Sequence, residues 1–324
     1  MDGPLLRLPA WAARAAKAAD RLASSKLART LLTLAILAVA AFLVRRELQS
    51  VRLSDITRAI AATPPWALGL SVVFTVAAYL SQAVIEVCAL KLIGKRLPIG
   101  RIVLAASASS ALSIAMGFGL ASGIAARLRF YAFAKLSAGD VAKVTALVAG
   151  ALFLSGMIVL GLSGFGGLGT IGAVLHWPIW GVAALSFALL APLPAWFLVL
   201  RRWRGQDVEA LGARGRAAVL AGGIGGWVFQ GVAMFVLSAH HLTDFPGFLA
   251  AFCLGSLLGS ALGVPADLGV LDAAVLGSHA LGAAHQTAAA LLLYRMISQL
   301  IPLILATAGI SLRPVMKLAR PKHS

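Results

Sequence analysis

Residues 247–284 read GFLAAFCLGSLLGSALGVPADLGVLDAAVLGSHALGAA. The run is apolar enough for a bilayer, yet Gly263-Val264-Pro265-Ala266-Asp267-Leu268-Gly269 divides it into arms at 247–264 and 271–284. Each arm falls short of the roughly 20 residues that cross a hydrocarbon core. A continuous helix tolerates that centre poorly, because proline removes a backbone donor and glycine weakens the helix on either side. The pattern predicts a broken hairpin that enters the membrane and returns. A second segment, 102–126, is built from Ala, Ser and Gly and is interrupted at Met116-Gly117-Phe118-Gly119 and again at Ser122-Gly123. It predicts a hairpin of the same kind.

Around these two segments the composition leaves one fold class. Of 324 residues 60% are hydrophobic and 12% charged, and mean hydropathy is +0.93. Soluble domains are closer to half apolar and a quarter charged. A chain this apolar cannot cover a water-facing surface, which excludes soluble enzymes, secreted disulfide scaffolds and disordered proteins. Cys88 and Cys253, both in apolar runs, give neither a disulfide framework nor zinc-ligand spacing. The expected fold is an all-α polytopic membrane protein with about six full transmembrane helices and the two re-entrant hairpins. Full spans are predicted at 64–90, 141–165, 177–200, 217–238 and 287–311. A first span is expected over Leu31–Val44, retained rather than cleaved at Ala38-Val39-Ala40. Residues 1–29 place Arg7, Arg14, Lys17 and Arg21 on one helical face with Leu8, Trp11 and Leu22 as apolar anchors, an amphipathic surface segment.

Charge fixes orientation. There are 28 Lys+Arg against 11 Asp+Glu, a net charge of +17. The basic residues cluster between apolar runs, as in cytoplasmic loops, and anionic lipid rather than nucleic acid is the expected partner. Lys and Arg populate 91–101, 127–143, 201–216 and the tail 312–324, and are absent from 166–176 and 239–246. The first group is therefore placed in the cytoplasm with both termini, and the second outside, if both weak segments re-enter. Residues 45–63, with Arg45, Arg46, Arg52 and Arg58, strain this scheme and are read as partly an interfacial helix. Within the transmembrane domain 30–311, span, broken hairpin and span then occur twice, over about 64–165 and about 217–311, in opposite orientations. Paired interrupted segments of this kind mark transport sites in inverted repeats.

The intramembrane charges are the site candidates: Glu86 late in its span, Asp267 and Asp272 at the second break, and Arg295 in the last span. Ionisable groups at depth face the interior or a cavity. Glu86 also lies close to Lys91, where an interfacial ion pair is the alternative. Arg127 and Arg129, beside Phe130 and Tyr131, follow the first break, and a guanidinium matches a lipid phosphate bidentately. The cluster His240-His241 with Asp244 is read as a polar outer loop rather than a metal site. No nucleophile triad, P-loop or dinucleotide fingerprint is present, so no catalytic residue, metal or cofactor is expected.

At these residues a family resemblance enters. LKLIGKRLP (90–98), ASGIAARLRFY (121–131), LSAGDVAKV (136–144), FLAAFCLGSLLG (248–259), VPADLGVLDA (264–273) and LLLYRMISQLIPL (291–303) resemble the N-terminal membrane domain of the multiple peptide resistance factor family. These are bacterial lysylphosphatidylglycerol synthase/flippases. The resemblance covers most of 64–311. It implies translocation of an anionic or aminoacylated phospholipid across the bacterial inner membrane, with resistance to cationic peptides, and no transferase activity, since the soluble aminoacyltransferase domain has no counterpart here. It implies lipid-binding roles for Arg127, Arg129, Tyr131, Glu86 and Arg295. The chain departs from the family where Ala266-Asp267 and Asp272 stand for two glycines and a glutamate, Gly263 for a histidine, and Ile124 for a glycine. The alternatives are a membrane scaffold or accessory subunit for a separate synthase, a translocator of another lipid or glycolipid, and, disfavoured because no acid/base or nucleophile set is visible, an enzyme acting on lipid. A synthase subunit and, in a homo-oligomer, a second copy of the chain are the other expected partners.

Overall fold

The computed structural model describes residues 53–116, 119–131, 136–191, 212–238, 244–278 and 284–305. The basic N-terminal segment, the first expected span, residues 192–211, His240-His241 and the tail lie outside them. Every regular element among the described residues is helical. In chain order these are α1 (Leu53–Ala62), α2 (Pro65–Leu92), α3 (Ile99–Met116), α4 (Gly119–Phe130), α5 (Ala138–Gly166), α6 (Leu168–Leu175) and α7 (Ile179–Leu190). They continue with α8 (Gly212–Phe235), α9 (Phe245–Leu262), α10 (Val270–Ser278) and α11 (Ala284–Arg295), the last prolonged through a π-helical turn, Met296–Leu300.

Among the described residues, five helices are long and apolar enough to cross a membrane: Pro65–Leu92, Ala138–Gly166, Gly212–Ser238, Phe245–Leu262 and Thr287–Leu305. The chain is thus compatible with a multi-pass membrane protein. α2 shows why such helices suit lipid. Its exposed side chains include Val73, Val76, Leu80 and Val84, while Ser71, Thr75, Tyr79, Gln82 and Glu86 are among the buried ones. Polar inside and apolar outside is the reverse of a soluble amphipathic helix.

Several elements differ from expectation. α9 is no longer than the expected arm 247–264, 18 residues in both cases, but it is apolar enough to count as a candidate membrane span, which corrects the reading of that arm as too short. Asp244 caps α9 by accepting from the Gly247 N–H, and Pro246 occupies its first turn. The region 166–176, expected as an outer loop, contains helix α6, which closes on a left-handed His176 and bends by 103° into α7. The expected span 177–200 is helical as α7 over Ile179–Leu190, and residues 192–200 lie outside the described residues. The Ser122-Gly123 interruption does not break α4. Gly123 instead permits close approach, since a Cβ there would sit 3.0 Å from both Ser113 Oγ and the Arg127 guanidinium.

Both hairpins form. Gly123 lies against Ser113, residues equally far from 118, so α3 and α4 fold back on each other. α9 and α10 do likewise through Gly255 and Gly259. A Cβ at Gly255 would lie 2.8 Å from the Leu271 backbone, and one at Gly259 would strike the Asp267 carboxylate. Small residues four apart let the arms touch. Two apolar cores accompany them. One joins α2, α3, α4 and α5 around Leu112, Phe130 and Tyr131. The other joins α8, α9, α10 and α11, with Phe235, Phe248, Phe252 and Tyr294 in sequential ring contact at 5.2, 6.2 and 5.7 Å.

Candidate functional site: two charged centres at the hairpins

The first centre ties the α3–α4 hairpin to α2. Glu86 is fully buried and Arg127 is 3% exposed. Arg127 Nε and Nη2 donate to Glu86 Oε1 and Oε2 at 2.8 and 2.7 Å, a bidentate pair. The Tyr131 hydroxyl donates to Oε1 at 3.0 Å, and Arg127 Nη1 lies 3.5 Å from the Gly123 carbonyl. The partner of Glu86 is therefore Arg127, across two helices, rather than the nearby Lys91. The fork that was expected to meet a lipid phosphate at the cytoplasmic surface is turned inward, because a buried guanidinium needs a counter-charge and Glu86 supplies one. Arg129, half-buried, lies about 200° around α4 from Arg127.

The second centre forms where the α9–α10 hairpin turns. Arg295 Nη2 donates to Asp272 Oδ2 at 2.8 Å, and the same oxygen accepts the Gly269 N–H at 2.9 Å, capping α10. The side chains of Arg295 and Asp272 retain 18% and 25% exposure, so this pair is open where the first is sealed. Asp267 is buried beside it, hydrogen-bonded by Ser256 and Ser260 and within the field of Arg295. Arg295 Nε is buried without a partner. Two carboxylates five residues apart thus gather about one guanidinium from a distant helix.

The turn carrying them is strained. Ala266 and Asp267 have φ of 54° and 52°, left-handed values that favour glycine. They are the positions where the family resemblance expects two glycines. Their non-glycine residues cost about 1–2 kcal/mol each in this conformation. The Pro265–Asp267 turn also packs against α3, so the two hairpins meet inside the bundle.

Two features escaped sequence reasoning. The first is the stripe Ser71, Thr75, Tyr79, Gln82 and Glu86, spaced by four, four, three and four residues on one face of α2. That helical period is legible in the sequence once Glu86 is taken as its end. The second is the π-helical turn directly after Arg295, whose Ser298 carbonyl accepts from the Tyr79 hydroxyl at 2.9 Å. A widened turn of this kind leaves no sequence signature, though it recurs at functional sites. Asp244, considered as a metal ligand, instead caps α9 and accepts from Thr170 Oγ1 at 2.6 Å.

No protein-family model matches the chain. It is similar to the uncharacterized protein slr0712 of Synechocystis sp., with 28% identity over 234 residues, covering 68% of this chain and 70% of that protein.

Proposed function

We propose that the chain translocates an anionic or aminoacylated phospholipid between the leaflets of a bacterial inner membrane. The observation carrying this reading is the second charged centre. Asp267, Asp272 and Arg295 gather at a broken hairpin, partly open, with Arg295 Nε unpartnered. A guanidinium donor fits a phosphodiester and the flanking carboxylates fit an ammonium. Those are the two ends of an aminoacylated phospholipid headgroup. The twice-repeated order span, hairpin, span, with the halves in opposite orientations, would expose such a site to each leaflet in turn. In this scheme the Glu86–Arg127–Tyr131 centre anchors the first hairpin, and the basic residues of 91–101 with Arg129 and Lys143 draw anionic lipid to the cytoplasmic face.

The test is reconstitution of the purified chain into liposomes with leaflet-resolved fluorescent phosphatidylglycerol and its lysyl derivative. Expected is a faster exchange than in protein-free liposomes, reduced at least tenfold by Arg295→Gln at matched incorporation. Exchange equal to protein-free liposomes for both lipids would refute translocation and leave the scaffold for a separate synthase as the surviving alternative.

A further inference from the structure

The last helix changes its winding just past Arg295. Across the π turn its bonds reach five residues back instead of four, as where the Ile301 N–H donates to the Met296 carbonyl. Helical winding then resumes through Leu305. Pro302 stands in that last stretch and has no N–H, so the Ser298 carbonyl lacks the donor that a continuing α-helix would place four residues on. The Tyr79 hydroxyl of α2 takes that donor's place, at 2.9 Å. Both residues are buried, so bulk water does not compete for the carbonyl. Ser298 Oγ in turn donates to the Tyr294 carbonyl at 2.7 Å.

The π turn joins two halves that are packed in different places. Leu291, Leu293 and Tyr294 before it belong to the core around Phe248 and Phe252, whereas Leu303 beyond it belongs to the core around Leu112 and Tyr131. The turn itself packs against α2 and α3. A π turn holds one residue more than an α turn, and one residue is about 100° of rotation. With Leu303 seated in its core, collapse of the turn would swing Arg295 by roughly that angle, away from its 2.8 Å contact with Asp272. Tyr294, the neighbour of Arg295, lies within electrostatic reach of Tyr79, Asp267 and Arg295, which puts the α2 hydroxyl at the edge of the second centre.

We propose that Tyr79 is a positioning residue of the second centre: by donating to the carbonyl that Pro302 leaves without a donor, it holds the π turn and so sets the rotation at which Arg295 meets Asp272. The consequence for lipid rests on the translocation reading, and the positioning itself does not.

The test is a double-variant cycle on the purified full chain, read as melting temperature, which needs no lipid transport. Asp272→Asn keeps an oxygen for the Gly269 N–H but weakens the hold on Arg295, and Tyr79→Phe removes one hydroxyl. If Tyr79 holds Arg295 on Asp272, the second substitution has less left to lose. The double variant should then melt at least about 2 °C above the value that the two single shifts sum to. Thr145→Val, which likewise removes a buried hydroxyl, should simply add to Asp272→Asn. A smaller excess for Tyr79→Phe, or an equal one for Thr145→Val, would overturn the proposal. In liposomes with fluorescent lysyl-phosphatidylglycerol, Tyr79→Phe should raise the half-saturating lipid fraction roughly threefold or more while the maximal exchange rate stays within about twofold. Unchanged half-saturation, where the wild type does exchange lipid, would overturn it as well. If the wild type exchanges no lipid, the translocation reading fails alone and the cycle still decides whether Tyr79 holds Arg295.

Discussion

Removing Glu86 should unfold the first hairpin more effectively than any other single carboxylate substitution. Glu86→Ala leaves the Arg127 guanidinium, 3% exposed, with only the Gly123 carbonyl at 3.5 Å. Breaking a buried pair by removing one partner costs about 3–5 kcal/mol. At roughly 2–4 °C per kcal/mol, the melting temperature should fall on the order of 10 °C. Arg127→Met strands the carboxylate and should cost as much. Arg127→Lys keeps the charge, but a single ammonium cannot reproduce the fork at 2.7 and 2.8 Å, so a loss of about 1.5–3 kcal/mol is expected. The decisive variant removes all three polar ends together, Glu86→Leu with Arg127→Met and Tyr131→Phe. No buried charge then remains uncompensated, and stability should return to within about 2 kcal/mol of the wild type. A thiol-reactive fluorophore would follow unfolding, since Cys88 and Cys253 are both buried. If the triple variant loses the sum of the single losses, the three residues are not one coupled unit. If Arg127→Lys melts like the wild type, the bidentate geometry contributes nothing.

Other outcomes follow from the same contacts. Ala266→Gly should stabilise the protein by about 1 kcal/mol, because it relieves a left-handed alanine; a lower melting temperature would count against the strain. Asp244→Ala removes the α9 cap and the Thr170 contact, and should cost about 1–2 kcal/mol in thermal unfolding, whereas an unchanged midpoint would show the cap to be dispensable. Gly222→Val should separate α2 from α8, where an added Cβ would lie 2.7 Å from the Ser81 carbonyl, with a loss of about 1–3 kcal/mol in the same assay. Cysteines at Lys95 and Lys135 should label from the same side of the membrane; opposite labelling would make 102–126 a true span and refute the proposed inverted repeat.

The membrane class and most long helices were written in composition and run length, because a span must be continuously apolar over a fixed thickness. The break at 263–269 was equally legible, since Gly263, Pro265 and Gly269 are local obstacles to a helix whatever surrounds them. Local signals misjudged Ser122-Gly123, which α4 absorbs, and the region 166–176, which forms helix α6. There tertiary contact outweighed propensity: Gly123 allows Arg127 to pass, and Gly167 lies against Gly247 at the start of α9. The site residues divide the same way. Glu86, Arg127, Asp267, Asp272 and Arg295 stood out as charges at depth, because burying a charge is costly enough to be informative on its own. Which charge neutralises which was decided only by the tertiary structure. Glu86 and Arg127 are 41 residues apart, and Asp272 and Arg295 are 23 apart. Periodicity fixes the face a residue occupies on its own helix, but the face it meets is set by how whole helices pack, at Gly123 and Ser113, at Gly255 and Leu271, and at Gly222 and Ser81.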